Sequence, residues 1–289
     1  MTVKGFRLTP RGNQPLDFTA SSLDELTGRV SDGFYTTFST LSGGTRVLGL
    51  SAHLERLYAP AAQLGLHPSV DEATLCRRIA ELAGENLPRE SRLRLILTKD
   101  TGDIYIGIQP FMPLPESVYR NGVHVLTAAM KRRNPRIKNT DFIARSAEQR
   151  KQVRGDVFEI LLTKNGSIFE GMTSNFYAVK VPQDSSRTHV KSHGVLVTAR
   201  YGILLGVTRR VVLRLAREEG MSIEYRAPRL DEKFDEAFLT SSSRGIVPIV
   251  AIDGKPVGQG KPGAWTKALS LAYQAYVEER SEWIRPSSK

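Results

Sequence analysis

Apolar and polar positions alternate in short runs along this chain, and each run predicts an element. Phe34, Thr36 and Phe38 share one strand face and LSGGTRVLGL carries turn glycines, so residues 31–50 read as two strands about a turn. Over 51–66 the period changes: Leu54, Leu57 and Leu64 recur on one helical face, with Ser51 as N-cap. A second helix over about 71–87 carries Leu75, Ile79 and Leu82. SRLRLILT then puts Leu93, Leu95 and Leu97 on one face of a strand and Arg92, Arg94, Ile96 and Thr98 on the other. The turn KDTGD leads into IYIGIQP. Strand, helix, helix, strand with local hairpins predicts an α+β domain rather than a βαβ array.

PFMPLPESVYRNG, residues 110–122, is proline-rich and polar. It suggests a small domain over 1–115, a linker at 116–122 and a larger domain over 123–289. Beyond it VHVLTAAM reads as a strand, 140–152 as a helix and 156–163 as a strand closed by Lys164-Asn165-Gly166. GSIFEGMTSNFYAVK, 166–180, reads as one strand running through a short break. A polar tract follows at 182–194. Residues 206–219 form a strongly patterned helix, through Val211, Val212, Leu215 and Ala216, that Gly220 stops. EAFLTS and IVPIVAIDG are strands, and 263–280 is a closing helix.

With 289 residues, 40% of them hydrophobic, the chain can bury one large core or two medium ones. No apolar run approaches the roughly 20 residues of a membrane helix, and MTVKGFRLTPRGNQP lacks the apolar stretch of a secretory signal. A cytoplasmic protein without a membrane partner is expected. The single cysteine, Cys76, has no internal disulfide partner and sits at helical spacing with Ile79, as a structural thiol would. A net charge of +11 suggests either nucleic acid or small anions as partners. The basic residues are scattered, clustering only at 131–133 and 209–210 with no aromatic–basic ladder, so small anions are expected and nucleic acid is not. GQGKPG, 258–263, follows a hairpin and reads as a turn, with too little chain left for a dinucleotide fold. His189 and His193 are four apart but lie in a Ser-, Gly- and Lys-containing loop, so no metal site is expected. His53, near Arg56 on one helix, reads as a packing residue.

Glu170 stands inside an apolar strand, where a carboxylate needs a proton, a cation or several donors. LLGVTRR opens a helix with glycine and threonine, and free N–H groups at a helix start attract anions. FLTSSSRG ends a strand in three hydroxyls and a glycine, HLERL adds Arg56, and RIKNTDF adds Lys138. A phosphate ligand with a cationic ring nitrogen and a carbonyl would use all of these.

Together with DGFY and GKPG, these stretches occur in an order and spacing, from about residue 31 to 277, that resemble the fold-type IV (class IV) pyridoxal-phosphate aminotransferase family. That family contains branched-chain aminotransferases, D-amino-acid aminotransferases and aminodeoxychorismate lyases. The resemblance implies a small N-terminal α/β sandwich, a larger C-terminal pseudo-barrel domain, pyridoxal 5'-phosphate between them, and a homodimer. It makes Lys138 the residue that bonds the cofactor aldehyde and moves the substrate proton, and Glu170 the partner that keeps the pyridinium nitrogen protonated. On this reading the cofactor is what supplies the charge partner of Glu170. Arg56, Val207, Thr208 and Ser242 match phosphate binders, and Asn175, on the same strand as Glu170, either orients the ring or Glu170 or is structural. Tyr35 matches a substrate-pocket tyrosine. Arg92 and Arg94 are either carboxylate ligands, Arg94 aligning best, or solvent-facing arginines on an edge strand.

The substrate half departs from every subgroup. Ile143 stands where branched-chain enzymes have tyrosine, Ser243 and Arg244 replace a small-residue pair, KDTGD lacks an arginine–x–histidine loop, and Asn139 is offset from the lyase asparagine. The implied activity is ping-pong transamination between an amino acid and a 2-oxo acid, branched-chain-like or D-amino-acid-like. The alternatives are an aminodeoxychorismate lyase releasing pyruvate, and a basic binding protein with a dead site, against which Lys138 and Glu170 both count.

Overall fold

The computed structural model describes residues 2–182 and 194–284. In chain order its elements are β1 (Lys4–Thr9), β2 (Gly12–Pro15), α1 (Leu23–Gly28), β3 (Gly33–Ser39), β4 (Arg46–Val47), α2 (Leu50–Gln63), α3 (Glu72–Gly84), β5 (Ser91–Thr98) and β6 (Ile104–Pro110). There follow α4 (Glu116–Asn121), β7 (Val123–Ala129), α5 (Asp141–Arg145), α6 (Ala147–Arg150), β8 (Val157–Lys164), β9 (Ser167–Gly171), β10 (Asn175–Lys180) and β11 (Val195–Val197). The chain closes with α7 (Val207–Glu218), β12 (Ser222–Glu224), β13 (Glu236–Ser241), β14 (Gly245–Ile252), β15 (Lys255–Pro256), α8 (Ala264–Arg280) and β16 (Glu282–Trp283). His189 and His193 lie outside the described residues.

Two compact units result, one of Met1–Pro113, Ile137–Arg145 and Val277–Lys289, the other of Leu114–Arg136 and Ser146–Tyr276. The first holds an antiparallel sheet in the order β2-β1-β6-β5-β3. Leu54 and Leu57 of α2 and Leu75, Ile79 and Leu82 of α3 pack on Leu93, Leu95 and Leu97 of β5 and on Ile104, Ile106 and Ile108 of β6. The leucine face of β5 therefore meets the helices. The other face is covered too: Leu23 and Leu26 of α1 and Ile143 of α5 pack with Tyr35 and Ile96. Gly49, in the left-handed region, caps α2 where Ser51 was expected.

The second unit is built on a ring of six strands. β10, β13, β14, β7, β8 and β9 follow one another, and pairing of β9 with β10 closes the ring. β7 is parallel to both its neighbours, while the other ring pairs are antiparallel. Phe176, Ala178, Leu161, Leu239, Val247 and Val125 fill its core. The small sandwich and larger pseudo-barrel are thus both present, and no helix among the described residues is long and apolar enough to cross a membrane.

Three local expectations change. Residues 116–121, read as linker, form α4, whose Tyr119 hydroxyl donates to Arg244 O. The helix expected over 140–152 is two short helices separated at the buried Ser146, and α5 groups with the first unit. The stretch 166–180 is not one strand: it folds back after Gly171, so that Glu170 pairs directly with Asn175. A side chain at Gly171 would run into Ser174 Oγ, which is why this reversal takes glycine.

Candidate active site

In the first unit, the segment carrying Lys138 is stitched to β3. Tyr35 N donates to Lys138 O (2.9 Å), Thr140 N donates to Gly33 O (3.0 Å), and Gly33 N donates to Thr140 Oγ1 (2.9 Å). Ile137 packs on one side of the sheet and Ile143 on the other. Anchored on both sides, Lys138 holds its Nζ 4.7 Å from the centre of the Tyr35 ring, a cation–π separation.

Arg56 is half-buried on α2, one turn beyond the fully buried His53. His53 Nδ1 lies 2.6 Å from Thr36 Oγ1 and its ring stacks obliquely on Phe38. Burial, then the charges of Arg56 and Lys138, push its imidazole well below the ordinary range. His53 is therefore neutral near pH 7, and Arg56 and Lys138 supply the positive charge beside it. The sign of the pH effect follows. Below about pH 6.5 the unfolded chain accepts a proton that the fold refuses, so stability falls with pH, by up to about 1.4 kcal/mol per unit. Replacing His53 with Gln should flatten the fall in melting temperature between about pH 6.5 and 5; an unaltered slope would assign that loss elsewhere.

Arg94 corrects the reading of it as a solvent-facing arginine on an edge strand. β5 lies inside the sheet, not at its edge, and the Arg94 side chain is buried. Its Nη1 donates to Leu23 O, Asp24 Oδ1 and Thr27 Oγ1, and its Nε to Thr37 Oγ1. These bonds make it a clamp that ties α1 to the sheet, in place of a solvent-facing cation. Arg92 is half-buried on the same strand.

In the second unit Glu170 is 2% exposed. Arg132 Nε donates to its Oε1 at 2.7 Å and Leu204 N to its Oε2 at 3.0 Å. Arg132, itself buried, also donates through Nη2 to Met172 O. The protein thus supplies Glu170 with a charge partner of its own, where the sequence reading had only the cofactor do so. A carboxylate has about four acceptor sites, so a ring N–H can be accepted beside these two donors. Asn175, on the neighbouring strand rather than the same one, donates from Nδ2 to Leu204 O and accepts at Oδ1 from Gly206 N. It fixes the turn entering α7, and a side chain on Gly206 would collide with it. The helix starts at Val207 and Thr208 with no side-chain cap, so its first amides face outward as anion donors. The Thr208 hydroxyl bonds Tyr273, whose phenol burial holds up to about 12.

The turn between β13 and β14 carries Ser242, Ser243 and Arg244, all half-buried. Asn175 pairs with Thr240 two residues before Ser242, so this turn and the start of α7 share one end of the barrel. Arg244 is held by Ser241 Oγ, by Thr173 Oγ1 and by Glu159 Oε2 at 2.9 Å. Glu159 is 2% exposed and also accepts from Thr173 and Ser174. Arg132 and Glu159 were missed by sequence reasoning. No group of three or more metal-ligating side chains occurs among the described residues.

Comparison with known proteins places this architecture. Residues 33–252 match the family model for amino-transferase class IV. The D-alanine aminotransferase of Bacillus licheniformis is 31% identical over 260 residues, covering 85% of this chain and 88% of that protein. A putative branched-chain-amino-acid aminotransferase of Methanocaldococcus jannaschii is 27% identical over 258 residues, 82% of this chain and 84% of its own. Among solved structures, the T.th. branched-chain amino acid aminotransferase with pyridoxamine 5'-phosphate superposes with a TM-score of 0.78 at 18% identity, over 98% of each chain. The chain belongs to the class IV aminotransferases. It is an amino-group transferase with the two-unit fold of that class.

Proposed function

We propose that this enzyme moves an amino group between an amino acid and a 2-oxo acid in two half-reactions, with Lys138 and Glu170 acting on one molecule of pyridoxal 5'-phosphate. One observation carries the proposal. The buried carboxylate of Glu170 and the uncapped start of α7 are joined through Leu204 and Asn175, so a seat for a ring cation and a seat for a phosphate belong to one rigid frame. The residues of the second unit fit such a group, with a carboxylate paired with Arg132 and helix-start amides at Val207 and Thr208, and the first unit offers the amine of Lys138 held against an aromatic ring. Bound there, the cofactor supplies an aldehyde that takes up the amino group and a ring that accepts the electron pair released at the substrate α-carbon.

The side chains divide the remaining work. Lys138 is the nucleophile and then the proton carrier at the α-carbon, and stitching of its backbone to β3 keeps the amine in place. Glu170 holds a proton on the ring nitrogen. Val207, Thr208, Arg56 and Ser242 hold the phosphate, and Asn175 positions the turn that presents the first two of these. Tyr35, Arg92, Ser243 and Arg244 shape the substrate end, with Arg244 fixed by Glu159 to meet a carboxylate. The similarity to D-alanine and branched-chain enzymes supports amino donors from those two groups. A homodimer working in the cytoplasm completes the proposal.

The test is a panel of L- and D-amino donors, followed by cofactor absorbance without added acceptor. Conversion of the aldehyde form to the amine form by D-alanine or by a branched-chain amino acid is expected. Pyruvate release from aminodeoxychorismate with no such conversion by any donor would overturn the assignment.

A further inference from the structure

Arg209 is 2% exposed and sits in the first turn of α7. Its Nη1 donates to Thr198 Oγ1 and its Nη2 to Ala199 O, each at 2.7 Å, and its guanidinium carbon stands 5.6 Å from the centre of the Tyr177 ring. Each of these partners is neutral. Arg94 and Arg132, the other buried arginines among the described residues, each hold a carboxylate, Asp24 and Glu170. A buried charge left without a counter-ion is costly. Its position adds to the cost: the first turn of α7 contains no acid, has no side-chain cap and carries Arg210 beside Arg209. Cations there oppose the helix dipole, whose positive end lies at the same place.

Hydrogen bonding alone does not require this arrangement, because a neutral donor could serve Thr198 and Ala199 without the penalty. We propose that Arg209 is a charge-positioning residue whose counter-ion is the ligand's phosphate. Its guanidinium is held below the helix start by Thr198 and Ala199 and does not reach out to the anion. It acts through the potential it adds to the outward amides of Val207 and Thr208, so that a dianion relieves the strain and binds tightly. This rests on the placement of the phosphate under the proposed function.

The test compares pyridoxal 5'-phosphate with pyridoxal, which lacks the phosphate, by titrating the full-length chain after removal of cofactor. In Arg209→Gln the dissociation constant for the phosphorylated form should rise by at least about 10-fold, since a unit charge near a dianion is removed. The constant for pyridoxal should stay within about 3-fold, because pyridoxal has the same ring charges but lacks the dianion beside the helix start on which that potential mainly acts. Arg209→Lys should keep most of the phosphate preference. Equal weakening of both ligands, or none, would make Arg209 a structural residue and overturn the proposal. Should Arg209→Gln not fold, Thr198→Ala gives the decision: it removes a hydrogen bond and keeps the charge. Unchanged phosphate preference in Thr198→Ala supports the charge role, and its loss overturns it. Failure of the wild-type chain to bind pyridoxal would count against the proposed function instead. Arg209 would still be tested by the rise in melting temperature with inorganic phosphate alone, which should shrink in the variant; an equal rise overturns the proposal.

Discussion

Lys138→Ala should lower the rate of the amino-donor half-reaction by at least about 10⁴-fold, the upper end of what a positioned acid–base group contributes. The loss should fall on the rate and leave the fold. β3 is bonded to this segment through the backbone carbonyl of Lys138 and through Thr140, neither of which the substitution touches. The apolar anchors Ile137 and Ile143 also remain. Stability should therefore stay within about 1 kcal/mol of the parent, the usual range for a change away from the core. Stopped-flow absorbance and thermal melting on the same preparation separate the two effects. A variant that keeps even a tenth of the parent rate would remove Lys138 from the chemistry.

Arg132→Ala should have the largest effect on stability. It takes the guanidinium away from the buried carboxylate of Glu170 and removes the donor that Met172 O accepts from. Breaking a buried pair from one side costs about 3–5 kcal/mol, which for a chain of this size lowers the melting temperature by roughly 10 °C. The double variant Arg132→Met with Glu170→Gln should recover much of that loss, because no uncompensated charge remains. It should stay nearly inactive, because Glu170 no longer holds the ring proton. If the double variant melts no higher than Arg132→Ala, the pair is not the source of the loss, and packing around Arg132 is.

Much of the frame was legible because it depends on local periodicity. α2, α3 and α7 announce themselves by apolar residues at helical spacing, and β5 by alternation. Glu170 was legible for the opposite reason, as a carboxylate breaking an apolar strand. What stayed hidden depends on partners distant in sequence. Arg132 lies between the exposed Lys131 and Arg133, so the trio reads only as a short basic cluster until Glu170 is placed beside it. Glu159 in VFEILLTK carries the same signal as Glu170 and was passed over. Arg94 falls off the leucine face of β5, and only α1, about seventy residues earlier, reveals that this face is covered. The reversal after Gly171 lacks proline and Asn-Gly, the usual turn markers, so a hairpin reads as a continuous strand. The break at Ser146 is a tertiary effect as well, since α5 follows Ile143 into the first unit while α6 belongs to the second.

A crystal structure of the chain grown with pyridoxal 5'-phosphate tests the pairing of Lys138 with Glu170 most directly. The expected density joins Lys138 Nζ to the aldehyde carbon and sets a Glu170 oxygen within hydrogen-bond distance of the ring nitrogen. A cofactor bonded to a different lysine, or a ring nitrogen facing any group other than Glu170, would contradict it.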